Sequence, residues 1–196
     1  MRHEKVEVIF QAAVEVFAES GFDQAKMDEI AQAAGVAKGT IYYHFKSKEE
    51  LFVGLMNEGM EKLSDCVRRG IALKKSPSEQ LEALLHAHIL FFVKNGKLAK
   101  LLLNEAFGTK ERQRQFRTKI REYLNLIESV LQQGIEQGEF QMAHPREMAS
   151  AIFGAASVVV LQKIYSLEEN QSEEIEATAP TMIESVQQLV FHPLIK

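Results

Sequence analysis

Residues 37–52 read AKGTIYYHFKSKEELF, a span that sets two tyrosines, a histidine and three lysines into a segment with helical spacing. Just upstream, Met27, Ile30, Ala31 and Ala34 form the apolar face of a short helix, and Gly35-Val36 supplies a sharp turn. A second short helix then runs from about Ala37 to Phe45, which completes a helix-turn-helix. In that second helix Ile41 and Phe45 lie four apart and point inward with Ala37. Gly39, Tyr43 and Lys46 then fall on the opposite side, flanked by Thr40 and Tyr42, so the aromatic and basic groups face outward. An earlier helix precedes the pair: Val6, Ile9, Phe10, Ala13, Val14 and Phe17 share one face, and Gly21 ends it.

Outward tyrosines, hydroxyls and lysines suit DNA. Lysine neutralises phosphate, tyrosine donates to phosphate while its ring lies on sugars, and threonine touches a thymine methyl. Gly39 lets the backbone come close to a duplex. The plain alternative is a solvated helix whose tyrosines cap a small core, and charge gives it some support. Over the first 50 residues Arg2, Lys5, Lys26, Lys38, Lys46 and Lys48 are outnumbered by Glu4, Glu7, Glu15, Glu19, Asp23, Asp28, Glu29, Glu49 and Glu50. Lys38, Lys46 and Lys48, however, are gathered at the proposed docking edge.

The order of parts is more telling than the charge. FQAAVEVFAESGFDQAKMDEIAQAAGVAKGTIYYHFKSKEELF resembles the N-terminal domain of the TetR family of bacterial transcriptional repressors. The shared features are Gly21-Phe22, Ile30-Ala31, Gly35-Val36 and the run Tyr42-Tyr43-His44-Phe45-Lys46. The resemblance implies that Lys38, Gly39, Thr40, Tyr42, Tyr43 and His44 line a recognition helix, and that Lys48 opens the fourth helix against a phosphate. Many family members carry Thr or Ser ahead of the second helix, where this chain has Ala25-Lys26. Lys26 then replaces only the electrostatic half of a hydroxyl cap and phosphate donor.

At 196 residues, 46% apolar and formally −4 in charge, the chain has the composition of an ordinary globular protein. The N-terminus lacks a signal-peptide pattern, and the longest apolar run, Ala151 to Leu161, is short for a bilayer. These features predict a cytoplasmic protein with no membrane partner. Cys66 is the lone cysteine, which excludes an internal disulfide and a cysteine metal cluster. His86 and His88 point about 200° apart on a helix, so no metal is expected, and no cofactor.

Helical patterns fill the remainder. Ser47-Lys48-Glu49-Glu50 and Ser76-Pro77-Ser78-Glu79 are capping-box starts. Further helices are expected at Lys97 to Phe107, about Lys110 to Gln137, Pro145 to Leu167, and from Ser172 or Thr178 to Phe191, with Pro180 starting or kinking the last. The fold class is therefore all-α: residues 1–47 as a three-helix DNA-binding domain, residues 48–196 as a helical effector-binding and dimerisation bundle.

In that bundle, His88 interrupts the face defined by Leu81, Leu84, Leu85 and Phe92, while Glu105, beside Asn104, interrupts that of Leu98, Leu101 and Leu102. Inward polar groups of this kind orient a ligand in a greasy cavity, completed here by Phe91, Phe92, Phe107, Phe116, Tyr123, Ile127 and Phe153. The alternative is a structural histidine and glutamate, paired with each other or with an arginine. An ionised Glu105 favours a cationic effector; a neutralised one leaves an apolar or acyl-chain ligand equally open. The Pro145 helix is apolar all round and must be covered on both sides. Ile152, Ala155, Ala156 and Val159, with Met182, Val186 and Leu189 of the last helix, are the expected homodimer contacts; a monomer completing one core is the alternative.

No Glu-x-x-His pair, Gly-x-Ser-x-Gly or phosphate loop is present. The expectation is a non-enzymatic, ligand-responsive regulator: a dimeric repressor on a palindromic operator, released by a small-molecule effector. A helical-bundle enzyme, or a protein-interaction module that has lost DNA binding, is the competing reading.

Overall fold

The computed structural model describes the backbone of residues 2–105, 110–166 and 172–192, and the side chains of residues 4–104, 116–166 and 174–192. Every regular element among them is an α-helix: α1 (Arg2–Gln24), α2 (Met27–Ala33), α3 (Lys38–His44), α4 (Lys48–Ile71), α5 (Pro77–Lys94), α6 (Gly96–Glu105), α7 (Lys110–Glu136), α8 (Pro145–Ser166) and α9 (Ser172–Phe191). They divide into two compact units, Met1–Gly59 with Lys97–Arg117, and Met60–Gly96 with Thr118–Lys196.

In the first unit α1 packs on α2 and α2 on α3. The predicted stripe of α1 supplies the core, with Ile9, Ala13 and Phe17 buried and Val6 and Val14 half-buried. Aromatic rings close it: Phe10 lies 5.4 Å from Phe45, and Phe17, Phe22 and Phe52 surround one another at 4.9–5.7 Å. Gly21 does break α1, at φ 74°, but a last helical turn continues to Gln24.

The turn between α2 and α3 is dictated locally. Ala34 caps α2, Gly35 takes φ 64°, the Gly35 N–H donates to Gln32 O and the Val36 N–H to Ala31 O. That is the Schellman arrangement, which only a residue tolerant of positive φ closes without strain. It sends the chain into α3 with Ile41 and Phe45 buried. Ala37 departs from expectation: as the N-cap of α3 it is extended and exposed, not inward. Ser47 caps α4 as the sequence suggests, its Oγ accepting from the Glu50 N–H while the Glu50 carboxylate accepts from the Lys46 N–H.

In the second unit α5 packs most extensively on α9, and both pack on α8. Ser76 and Glu79 form the predicted capping box with Pro77 at the first turn. The Glu139 carboxylate adds two bonds to the same end, from the Ser78 N–H and hydroxyl. Pro180 lies inside α9, which runs from Ser172 to Phe191. By length and apolarity alone α8 could cross a membrane, yet Ala149, Ile152, Ala156, Ser157, Val160 and Ile164 form a buried stripe along it.

One close approach requires glycine. Gly138, at φ 76°, turns the chain back at the end of α7 and lays the buried Phe140 ring over Gly134. A Cβ at Gly134 would stand 2.0 Å from Phe140 Cδ2 and 2.4 Å from Cε2. Gly134→Ala is therefore expected to cost about 1–3 kcal/mol through overpacking, read as a lower urea midpoint. An unchanged midpoint would mean the ring swings aside freely.

Candidate DNA interface and effector site

On α3 the side chains chosen from sequence are presented as a group. Tyr43 is 74% exposed and Tyr42 42%, with Lys38, Gly39 and Lys46 also exposed and Thr40 and His44 half-buried. His44 stands edge-on to Tyr43 at 5.1 Å. A Cβ built at Gly39 meets nothing within 4 Å, so nothing inside the protein requires glycine there.

The lysines are more constrained than the sequence suggested. At the N-cap of α2, the Lys26 ammonium is 3.4 Å from Glu29, whose carboxylate also accepts from the Lys26 N–H. The cap lost with the missing hydroxyl is thus made in reverse, by Glu29. Lys48 donates to Asp23 O and Ala25 O, both at 2.9 Å, and its ammonium sits 4.7 Å over the Phe22 ring. Two of its three N–H donors therefore pin the start of α4 to the α1–α2 junction, a role the sequence did not disclose. Lys38 pairs with Asp28.

The second unit holds the candidate effector site. His88 is fully buried; its Nδ1 is 2.8 Å from the Tyr123 hydroxyl and its Nε2 is 3.1 Å from Ser157 Oγ. Burial lowers its pKa to about 3, so it is neutral, and burial pushes the Tyr123 hydroxyl well above its ordinary value. The imidazole and two hydroxyls hold three hydrogens, and two suffice for the two contacts. One hydroxyl hydrogen, on Tyr123 or Ser157 according to the imidazole tautomer, is left directed away from the ring. Phe92 and Phe153 wall this trio, at 4.7 and 5.6 Å from His88, and Phe91 lies 6.0 Å from Phe92.

So His88, Phe91, Phe92, Tyr123 and Phe153 come together. Ile127 is buried in the same unit, whereas Phe116 is buried in the first unit and Asn104 is exposed there. The Glu105 side chain and Phe107 lie outside the described residues. In place of the carboxylate or arginine that the alternative reading paired with His88, two hydroxyls stand at its nitrogens. Ser157 was missed, although a lone serine amid Ala155, Ala156, Val158, Val159 and Val160 was a visible polar interruption.

The dimer residues also divide. Ile152, Ala156, Met182 and Val186 are covered within the chain itself, while Ala155 and Val159 are half-buried and Leu189 is 65% exposed. The uncovered apolar stripe of α8 runs through Ala151, Ala155, Val158 and Tyr165, the last two 50% and 54% exposed.

A helix-turn-helix with an outward aromatic and basic face, on a chain that also builds a helical bundle with a buried polar centre, defines a DNA-binding regulator with an effector domain. Residues 9–55 match the bacterial regulatory proteins of the tetR family, and residues 74–161 match a tetracyclin repressor-like C-terminal domain. The chain is 33% identical to the fatty acid metabolism regulator protein of Bacillus subtilis (strain 168), over 78% of this chain and 79% of that protein. Its fold matches a putative fatty acid metabolism regulator of Clostridium perfringens, with TM-score 0.81, 30% identity and coverage of 96% and 99%. It also matches the transcriptional regulator FadR of Bacillus subtilis in complex with stearoyl-CoA, with TM-score 0.80, 28% identity and coverage of 92% and 96%. The chain belongs to the tetR family of bacterial regulatory proteins. It is a ligand-responsive transcriptional regulator, not an enzyme.

Proposed function

We propose that the protein is a cytoplasmic homodimeric repressor that covers a palindromic operator and leaves it when a long-chain acyl thioester enters the C-terminal bundle. Residues 1–47 act as the DNA-binding domain and residues 48–196 as the effector and dimerisation domain. The observation that carries the ligand class is the neutral His88–Tyr123–Ser157 trio walled by Phe92 and Phe153. Its surplus hydroxyl hydrogen suits an uncharged acceptor such as a thioester carbonyl, and its aromatic walls suit an acyl chain. None of the three carries a charge to balance an ammonium. The related regulator solved with stearoyl-CoA supports the same class. The effector acts by binding the DNA-incompetent arrangement more tightly than the competent one, since a ligand without that difference shifts nothing. The uncovered stripe of α8, with Leu189, supports the dimer.

Operator fragments selected from the genome by the purified protein provide the test. Stearoyl-CoA is expected to release them, while free coenzyme A and a cationic amphiphile are not; complexes that survive acyl-CoA overturn the effector assignment. Deleting the gene should raise transcripts of the neighbouring operon, and a fall would identify an activator instead. Tyr43→Ala is expected to weaken operator binding about tenfold or more, the loss of one hydrogen bond to a charged phosphate, with no change in thermal midpoint. Unaltered affinity would remove Tyr43 from the interface.

A further inference from the structure

Lys38 is the first residue of α3, at the edge meant to face DNA, yet its ammonium is turned toward α2. Its Nζ lies 2.7 Å from Asp28 Oδ2, and it stands 5.9 Å over the Tyr42 ring, one helical turn along α3. The hydrogen bond to Asp28, and then the Asp28 charge, raise the pKa of this ammonium from the ordinary lysine value. Both side chains are more than half exposed, so this is no core contact that the fold requires. Toward an approaching phosphate the pair is electrically near neutral.

We propose that Asp28 is a specificity-determining residue: by occupying Lys38 it withholds one positive charge per recognition helix from DNA that does not fit. The magnitude of the pair makes this workable. An exposed ion pair is weak, so a phosphate brought close in good register displaces Asp28 at small cost. Operator DNA, held in register by base contacts, supplies such a phosphate. Random DNA is held by backbone charge alone, at looser distances, and meets a lysine already satisfied. The device reduces affinity for all DNA but reduces it more for the wrong DNA, and that difference is specificity. Glu29 holds Lys26 in a similar way but at 3.4 Å, between residues three apart on one element. The Asp28–Lys38 pair bridges two elements and involves the recognition helix itself.

The inference rests on α3 docking on DNA, and the experiment separates the two. Wild type, Asp28→Asn, Lys38→Met and the double variant are titrated with operator and with random DNA from 50 to 200 mM salt, after circular dichroism has shown equal helicity. Asp28→Asn is expected to bind random DNA about two- to fivefold more tightly at 50 mM, the fold-change equivalent of an exposed pair. The log-log salt slope should steepen by up to about 0.9 per helix engaged. The operator-to-random ratio should fall about twofold or more, and in the Lys38→Met background Asp28→Asn should change nothing. A gain that persists without Lys38 would reduce Asp28 to a general repulsive charge and overturn the proposal. Equal gains for both DNAs, no gain, or a loss would overturn it as well. A wild type with no salt-dependent DNA binding would defeat the docking of α3 itself.

Discussion

Ala155→Arg is expected to yield a folded monomer whose operator affinity lies about a hundredfold or more below that of wild type. The expectation follows from α8 carrying two apolar stripes. One, through Ile152, Ala156 and Val160, is buried within the chain; the other, through Ala155, Val158 and Tyr165, is not. An arginine at half-buried Ala155 leaves the inner stripe intact and places a charge where a partner copy would press. At fully buried Ala156 the same change would damage the fold and teach nothing about assembly. The DNA consequence is large because two half-sites about one helical turn apart are gripped by linked recognition helices. Linkage of this kind contributes about 10²–10⁴ in avidity without a new contact. Sedimentation and operator titration check both halves, with Leu189→Asp as an independent variant. A dimeric Ala155→Arg, or a monomer with wild-type affinity, would relocate the interface or remove the need for it.

Acid is expected to destabilise the protein through His88 once the pH falls below the ordinary histidine value. In the folded chain His88 has a pKa of about 3, depressed by burial, against an ordinary 6.5. Below pH 6.5 the unfolded chain therefore takes up a proton that the native chain refuses, so this stability is present above pH 6.5 and is lost as pH falls toward 3. The loss runs at about 1.4 kcal/mol per pH unit, or about 2 kcal/mol by pH 5. Urea unfolding of wild type and His88→Gln at pH 7.5 and 5 measures it, glutamine being chosen because it still offers both a donor and an acceptor to Tyr123 and Ser157. The variant should lose about 2 kcal/mol less than wild type over that interval. Parallel losses would mean that water or a rotated ring accommodates the imidazolium. At the alkaline end Tyr123 acts in the opposite sense: its raised pKa makes stability fall above pH 10, where the unfolded tyrosine ionises and the buried one resists.

The parts legible in the sequence are those governed by interactions within a turn or two of helix. The inward Ile41 and Phe45 and the outward Tyr42 and Tyr43 follow from a period of 3.6 residues, which fixes azimuth once the helix is granted. The Ser76–Glu79 box and the Gly35 turn close through bonds spanning three to five residues, so the local sequence contains both partners. That was enough for the all-helical class and for which side of α3 faces outward. Tertiary structure alone decided the rest. In the sequence His88 could orient a ligand or pair with a charge; folding brought Tyr123, 35 residues on, and Ser157, 69 residues on, to its two nitrogens. Lys38 and Lys48 read as free phosphate donors until Asp28 and the carbonyls of Asp23 and Ala25 occupied them. In α8, apolar residues on every side leave the hydrophobic pattern with a period but no phase, so sequence spread the dimer contacts over both stripes. Only the packing of α5 and α9 against one side determined which stripe is buried and which is left exposed.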